Sequence, residues 1–416
     1  MLTILNKMKQ PIVVILGGNI LNSGIVDYCK QKGYFVVVVD WSPNAALKGD
    51  LFFCIDVKDS SSIIDSLENH RVHSILGAYS SIDLAVPSVN AINAHYGLKT
   101  MDKEALSHAL RKSVMTQIWD EYGLLNRFSK VYTSFENDIF GLNTRMDLIF
   151  KPNVSSSSRG ITIIPKGSSS EDIESAYHKA QEESFDKNVI IEEFIQGQEF
   201  TCEMLGDAMG NVSVYAISVK YHTQNTEKNK IAIKLHYNSS FYPNDLYERI
   251  AAFGKRCYKA LGFHASFGHL ELILKDDGLL SPIEIGARSS GFITNPLVSK
   301  ASGKDFFGDY LSVLHGKTIT GEDYINGEQS SMYFFYDMPH NTRCKKPSCL
   351  VNFLSNGIDF LYSNRNKLQT KDFVYANIAN DNERIGYEIL TGNRDILTIQ
   401  HVEKAEQEFI NYNTND

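Results

Sequence analysis

The alternation in the first hundred residues limits the fold of this chain more than any other feature. Residues 11–18 (PIVVILGG) read as a wholly apolar strand ending in glycines, residues 21–32 as a helix, and Tyr34–Val39 as a second β-branched strand stopping at Asp40. The pattern continues with a strand at Leu51–Ile55, a helix near 59–69, a strand at Val72–Ala78 and a helix near 82–96. Strands that are apolar on both faces and separated by helix-length segments suit a parallel sheet, because each crossover lays a helix on the sheet. A parallel-sheet domain is therefore expected over residues 1–100. Gly17-Gly18, with Gly24 further on, misses the GxGxxG spacing of a dinucleotide turn, although Asp40 stands near the right distance. A tight strand-to-helix turn is the simpler expectation.

Composition narrows the class. At roughly 150 residues per domain, 416 residues suggest two to four domains. The 43% hydrophobic and 22% charged content suits a folded globular chain and argues against long disorder. Forty-one basic against 49 acidic residues give a net charge of −8, without the basic excess that non-specific nucleic-acid binding needs. Six cysteines (Cys29, Cys54, Cys202, Cys257, Cys344 and Cys349) are too few for a disulfide scaffold and include no CxxC pair. The start, MLTILNKMKQ, lacks a signal-peptide core, and runs such as Phe35 to Val39 fall far short of the roughly 18 residues of a membrane span. A soluble, reduced, cytoplasmic chain without nucleic-acid or membrane partners is expected.

Past residue 100, a helical stretch at about 102–122 has Asp102 as its N-cap and Gly123 just beyond its end. Short strands follow at 147–151, 160–165 and 188–193, with a polar helix at about 170–184. Strands are expected at 199–205 and 212–220, then a polar loop over 221–230. Asp245–Leu261 places Leu246, Ile250, Phe253, Cys257 and Leu261 on one helical face. The runs 267–275 and 280–286 flank Asp276-Asp277-Gly278, a strong hairpin signal. A helix near 303–315 ends at Gly316, and the last hundred residues read as mixed α/β.

Three pieces carry chemistry. Phe150-Lys151-Pro152 leads into Asn153–Gly160, a loop of small hydroxyl residues with Arg159, which can present N–H and hydroxyl groups to phosphate or simply form a flexible hairpin. Ile190-Ile191-Glu192-Glu193-Phe194-Ile195, followed by Gly197 and Glu199, offers carboxylates to ribose hydroxyls, or is a hairpin with exposed glutamates. The hairpin arms Gly268–Leu272 and Pro282–Arg288 bring Glu271 and Glu284 together. Two close carboxylates repel unless a cation such as Mg²⁺ joins them, and Arg288 can reach the same phosphates or merely pair with a glutamate.

The order Lys112, Lys151, loop 153–160, Glu192-Glu193-Phe194-Ile195, Glu199, Glu271, Glu284 and Arg288 resembles the ATP-grasp superfamily over about residues 10 to 320. The nearest look-alikes are carboxylate–amine ligases of the L-amino-acid-ligase and carbamoyl-phosphate-synthase kinds. The resemblance implies an α/β and α+β protein, in which a parallel-sheet pre-ATP-grasp domain precedes a two-lobed ATP-grasp fold. The expected parts are 1–100, a helical linker and small lobe over 101–195, a large lobe over 196–325 and a C-terminal α/β extension over 326–416.

By the same resemblance, Lys112 and Lys151 contact ATP phosphates, while Ser157, Ser158, Arg159 and Gly160 close over them. Glu192, Glu193, Phe194 and Ile195 hold the adenine, and Glu199 holds the ribose. Glu271 and Glu284 bind Mg²⁺ or Mn²⁺, and Arg288, with Lys151, acts in catalysis. Lys220, His222, His236, Ser239, Ser240 and Ser290 fall in segments that line the acceptor pocket in relatives. Two departures stand out: Gly286 replaces a common asparagine, as in L-amino-acid ligases, and the loop has serines where many members have glycines.

The implied reaction joins a small carboxylate to an amine with ATP, and a homodimer is possible. Thiol ligation, carboxylation or a non-catalytic nucleotide-binding regulator remain the alternatives.

Overall fold

The structure, a computed structural model, describes residues 10–155, 160–223, 231–291, 294–337, 342–344, 350–364, 373–375, 384 and 386–414. Its N-terminal sheet holds β1 (Ile12–Leu16), β2 (Phe35–Asp40), β3 (Leu51–Cys54) and β4 (Ile75–Tyr79), all parallel, in the order β3-β2-β1-β4. All five residues of β1 are buried, because helices cover both faces of the sheet. The chain winds outward from β1 to β3 and then returns to β4 on the other side. A crevice therefore opens between the ends of β1 and β4, where ligands of such sheets bind.

Gly17 lies there at φ +106°, and any Cβ on it would meet the Ile82 side chain at 2.7 Å. Asn22 donates to the Gly17 carbonyl at 2.7 Å, and Asp40 accepts from the Gly18 amide at 2.7 Å. The glycines thus make the expected tight turn, and Asp40 holds it shut.

The helical stretch expected at 102–122 is two helices, Lys103–His108 and Lys112–Glu121. Asp102 caps the first by accepting from Ala105 N. The break falls where Arg111 turns extended and Ala109 and Leu110 face the central cavity. A four-stranded antiparallel sheet follows, with β5 (Ser129–Tyr132), β6 (Leu148–Pro152), β7 (Thr162–Ile164) and β8 (Val189–Glu193) in the order β5-β8-β6-β7. Helix Ser170–Glu183 covers it with Ile173, Ala176, Tyr177 and Ala180, at helical spacing.

The large sheet begins with β9 (Gln198–Gly206), β10 (Val212–His222), β11 (Ala232–Tyr237), β12 (Ser266–Leu274) and β13 (Leu280–Gly286). Helix Asn244–Ala260 packs on it so closely that a Cβ at Gly268 would lie 2.6 Å from the Tyr258 ring. The β12–β13 turn is a three-residue loop closed by Lys275 N to Leu279 O, with Gly278 at φ +82°. It is therefore one residue longer than a two-residue Asp-Gly turn.

The C-terminal region supplies β14 (Gln329–Phe335), β15 (Arg343–Cys344), β16 (Ile358–Asn364), β17 (Phe373–Val374) and β18 (Tyr387–Asn393). Of these, β14, β18 and β16 continue the large sheet, giving eight strands in the order β13-β12-β9-β10-β11-β14-β18-β16. No helix among the described residues is long and apolar enough to cross a membrane.

Candidate active site

A cavity of about 770 Å³ lies where the parts of the chain meet. The crevice of the N-terminal sheet contributes Asn19–Leu21 and Ser81–Leu84, and the linker contributes Ala109, Leu110, Lys112 and Met115. The small sheet adds Pro152, Val154, Ser155 and Ile161, and the large sheet adds His269, Glu271, Glu284, Arg288 and Ser290.

Glu271 and Glu284 are direct cross-strand partners on β12 and β13, so their side chains share one face. Lys112 Nζ lies 3.1 Å from Glu284 and Lys220 Nζ lies 2.8 Å from Glu271. Burial works against ionisation of Glu271, but Lys220 and the His269 ring outweigh it and hold the carboxyl well below its usual range. Burial likewise opposes the charge on Lys112, and Glu284 more than compensates, raising its pKa. Lys220 also reaches Glu199 at 3.4 Å, and His222 lies 3.2 Å from the same carboxylate. Despite burial, these cations bring Glu199 down to about 2. Lys112, Glu271, Glu284, Arg288 and Ser290 thus meet at one cavity, with Lys220, Glu199 and His222 linked to it through Glu271.

Other expected residues sit elsewhere. Lys151 is buried and bonds Glu192 at 2.6 Å, and Arg127 bonds the other oxygen of Glu192 at 2.9 Å. Burial of Glu192 is overcome by Lys151 and Arg127, which take it to about 2. Glu193 takes the Phe128 amide, the Phe194 amide donates to Asp147 O, and Ile195 is buried. Gly160 sits at φ +70° against Pro152 and Glu183, while Ser157, Ser158 and Arg159 lie outside the described residues.

His236 is a correction: it does not line the cavity. It is fully buried with Nε2 2.8 Å from Ser330 Oγ, and desolvation lowers its pKa to about 3. It serves the packing between β11 and β14. Ser240 faces outward and bonds the Arg394 carbonyl, and the Ser239 hydroxyl accepts from Phe241 N.

Three residues at or beside the site were missed from sequence. Asp83 accepts from Arg288 Nη2 at 2.7 Å, so an N-terminal carboxylate meets a large-lobe guanidinium. The crevice rule for parallel sheets pointed to that loop. His269 lines the cavity with Nδ1 2.7 Å from Glu203 and Nε2 3.6 Å from Glu271. Burial opposes its charge, but Glu203 prevails and raises it to about 9. Its place two residues before Glu271 on a strand was the available signal. Arg127 sits in a stretch without periodicity and gave none.

Residues 144–296 match the family described as ATP-grasp domain. The chain is similar to that family over this segment, just over a third of its length. Over 223 residues it is 25% identical to a D-alanine–D-alanine ligase of Cupriavidus necator, covering 52% of this chain and 66% of that protein. The match thus spans just under two thirds of that relative's length. The whole fold is similar to an L-amino acid ligase from Bacillus licheniformis, with TM-score 0.72, 16% identity and 97% coverage of both chains. It is also similar to an N5-carboxyaminoimidazole ribonucleotide synthetase from Thermus thermophilus, with TM-score 0.67, 14% identity and coverage of 97% and 99%.

Proposed function

We propose that this chain is an ATP- and Mg²⁺-dependent ligase that activates a small carboxylate as an acyl phosphate and joins it to an amine, an amino acid or related metabolite being the substrate class. The observation that carries this reading is the Glu271–Glu284 pair, opposed on adjacent strands in one cavity with Lys112 and Arg288. The pair fits Mg²⁺, which takes one or two carboxylates and completes its shell with water and substrate phosphates. Mn²⁺ suits the same oxygens. The ammonium groups now on each carboxylate mark positions where positive charge is favoured. When bound, the metal supplies charge neutralisation to the phosphates.

The chain's own residues do the rest. Arg288 holds the phosphoryl group in flight and then the acyl phosphate, with two-pronged donation. Lys112 neutralises phosphate oxygens, and Glu199 accepts ribose hydroxyls. Residues 193–195 hold the adenine edge, the buried Lys151–Glu192 pair braces the strand that carries them, and loop 155–160 closes over the phosphates. A carboxylate is a poor electrophile, and phosphorylation converts one of its oxygens into part of a leaving group. The amine then attacks the carbonyl carbon, and phosphate departs. Walls drawn from all four parts, 1–100, 101–195, 196–325 and 326–416, keep water from the acyl phosphate.

The test is incubation with ATP, Mg²⁺ and pooled amino acids. ADP and phosphate should appear together with a new amide in the mass spectrum. ADP formation with bicarbonate and no amine would replace this reading by carboxylation, the chemistry that the fold likeness to the N5-carboxyaminoimidazole ribonucleotide synthetase supports. Tight ATP binding with no ADP under any mixture would leave a nucleotide-binding regulator.

A further inference from the structure

The cavity changes character along its length. At one end stand the charged groups on β12 and β13. At the other, outside the matched ATP-grasp segment, stand Tyr333 and Phe335 of β14 and Tyr387 of β18. The row Glu199, Lys220, Leu235, Tyr333 runs through direct partners on β9, β10, β11 and β14. The aromatic residues therefore share the face that carries Lys220. From β12 to β14 is four interstrand steps, roughly 19 Å at about 4.8 Å each. That is long enough to seat a substrate beyond the phosphoryl site.

The aromatic end is closely packed. The rings of Tyr333 and Tyr387 stack at 5.1 Å, and those of Tyr333 and Phe335 lie 4.5 Å apart. The Arg384 guanidinium covers Phe335 at 4.2 Å and also lines the cavity. A cation set on an aromatic wall recognises a molecule with a large apolar side chain and an anionic group.

We propose that this wall is the pocket for the amine substrate, an amino acid with a large apolar or aromatic side chain. Phe335 and Tyr387 meet the side chain, the buried Tyr333 ring packs behind them, and Arg384 holds the carboxylate. The inference rests on the ligase reading above. The anion selects the amine partner because an amino acid that supplies its amine keeps its carboxylate, whereas the activated acid loses its own to the new bond. The specificity of the reaction then resides in Phe335, Arg384 and Tyr387, while the phosphoryl chemistry resides in Lys112, Glu271, Glu284 and Arg288.

The test is calorimetric titration of the full chain, saturated with Mg²⁺ and a non-hydrolysable ATP analogue. DL-phenylalanine should bind at least tenfold more tightly than DL-alanine and than phenylalaninamide, which lacks the carboxylate. Arg384→Ala should weaken phenylalanine tenfold or more and leave nucleotide affinity within twofold. Tyr387→Leu, which removes the ring but keeps an apolar side chain, should weaken phenylalanine more than alanine. If the nucleotide analogue binds but phenylalanine and alanine bind alike, or phenylalaninamide binds as tightly as phenylalanine, or Arg384→Ala changes nothing, the pocket assignment is wrong. If the Mg²⁺–nucleotide analogue itself does not bind, the ligase reading fails and this inference with it.

Discussion

Two clusters of the same residue types sit in this molecule and behave differently. In the first, Arg127, Glu192 and Lys151 join β8 to the start of the small lobe, with Arg127 and Glu192 each 2% exposed. Arg127 also donates to Ser281 Oγ and Pro282 O on β13, so the cluster ties the two lobes together. In the second, Lys112, Glu284, Arg288 and Asp83 border the cavity, with Glu284 36% and Asp83 31% exposed. The first cluster spends its charges on one another. The second keeps carboxylates turned toward space that a ligand can fill. Chemical identity alone does not separate scaffold from site; the accessibility of the last lone pair does.

That contrast can be broken from either side. The largest effect is expected from Glu192→Ala, which leaves two buried cations without their anion. A loss of about 3–5 kcal/mol should appear as a shifted urea midpoint. The same carboxyl sets an acid limit. Its folded value of about 2 lies below the unfolded 4.5, so its contribution is complete above pH 4.5 and disappears as pH falls toward 2. A Glu192→Gln variant should show a flatter stability profile across that window.

Next comes Glu284→Ala, which should cut turnover roughly 100- to 1000-fold, the size expected when several kcal/mol of charge stabilisation are removed. Its melting temperature should stay nearly unchanged, because the side chain faces the cavity. Retained turnover would remove Glu284 from the metal site. The smallest effect belongs to Asp83→Asn. It loosens the hold of the N-terminal crevice on Arg288 and should lower kcat by about tenfold, corresponding to about 1.4 kcal/mol, with ATP KM little altered. An unchanged kcat would make Asp83 a bystander.

The sequence was most legible where one residue pattern has one physical solution. The apolar runs of β1 and β2 required a parallel sheet, and the Asp-Gly turn opposed Glu271 to Glu284 within one register step. It was least legible where placement depends on the assembled fold. Nothing local in residues 124–146 announces that Arg127 will reach Glu192, because that contact needs the distant β5 and β8 to pair in the small sheet. His236 alternates like any strand residue, and only its burial between β10 and β14, with Ser330 against the ring, decides that it is core. The aromatic run Tyr333–Tyr336 is buried on both faces of its strand. Strand alternation nevertheless turns Tyr333 and Phe335 to the cavity and Phe334 and Tyr336 to the C-terminal helix side.

The eight-stranded sheet also bears on how the chain can be divided. A chain stopped at residue 325, beyond the matched segment 144–296, would strip β14 from β11 and expose the backbone donors and acceptors of Lys234–Tyr237 along an open edge. Such an edge invites pairing with another molecule, so the truncated chain should self-associate instead of behaving as a smaller enzyme. Recombination among relatives faces the same constraint: the segment after residue 325 can be exchanged only together with a strand that fits β11.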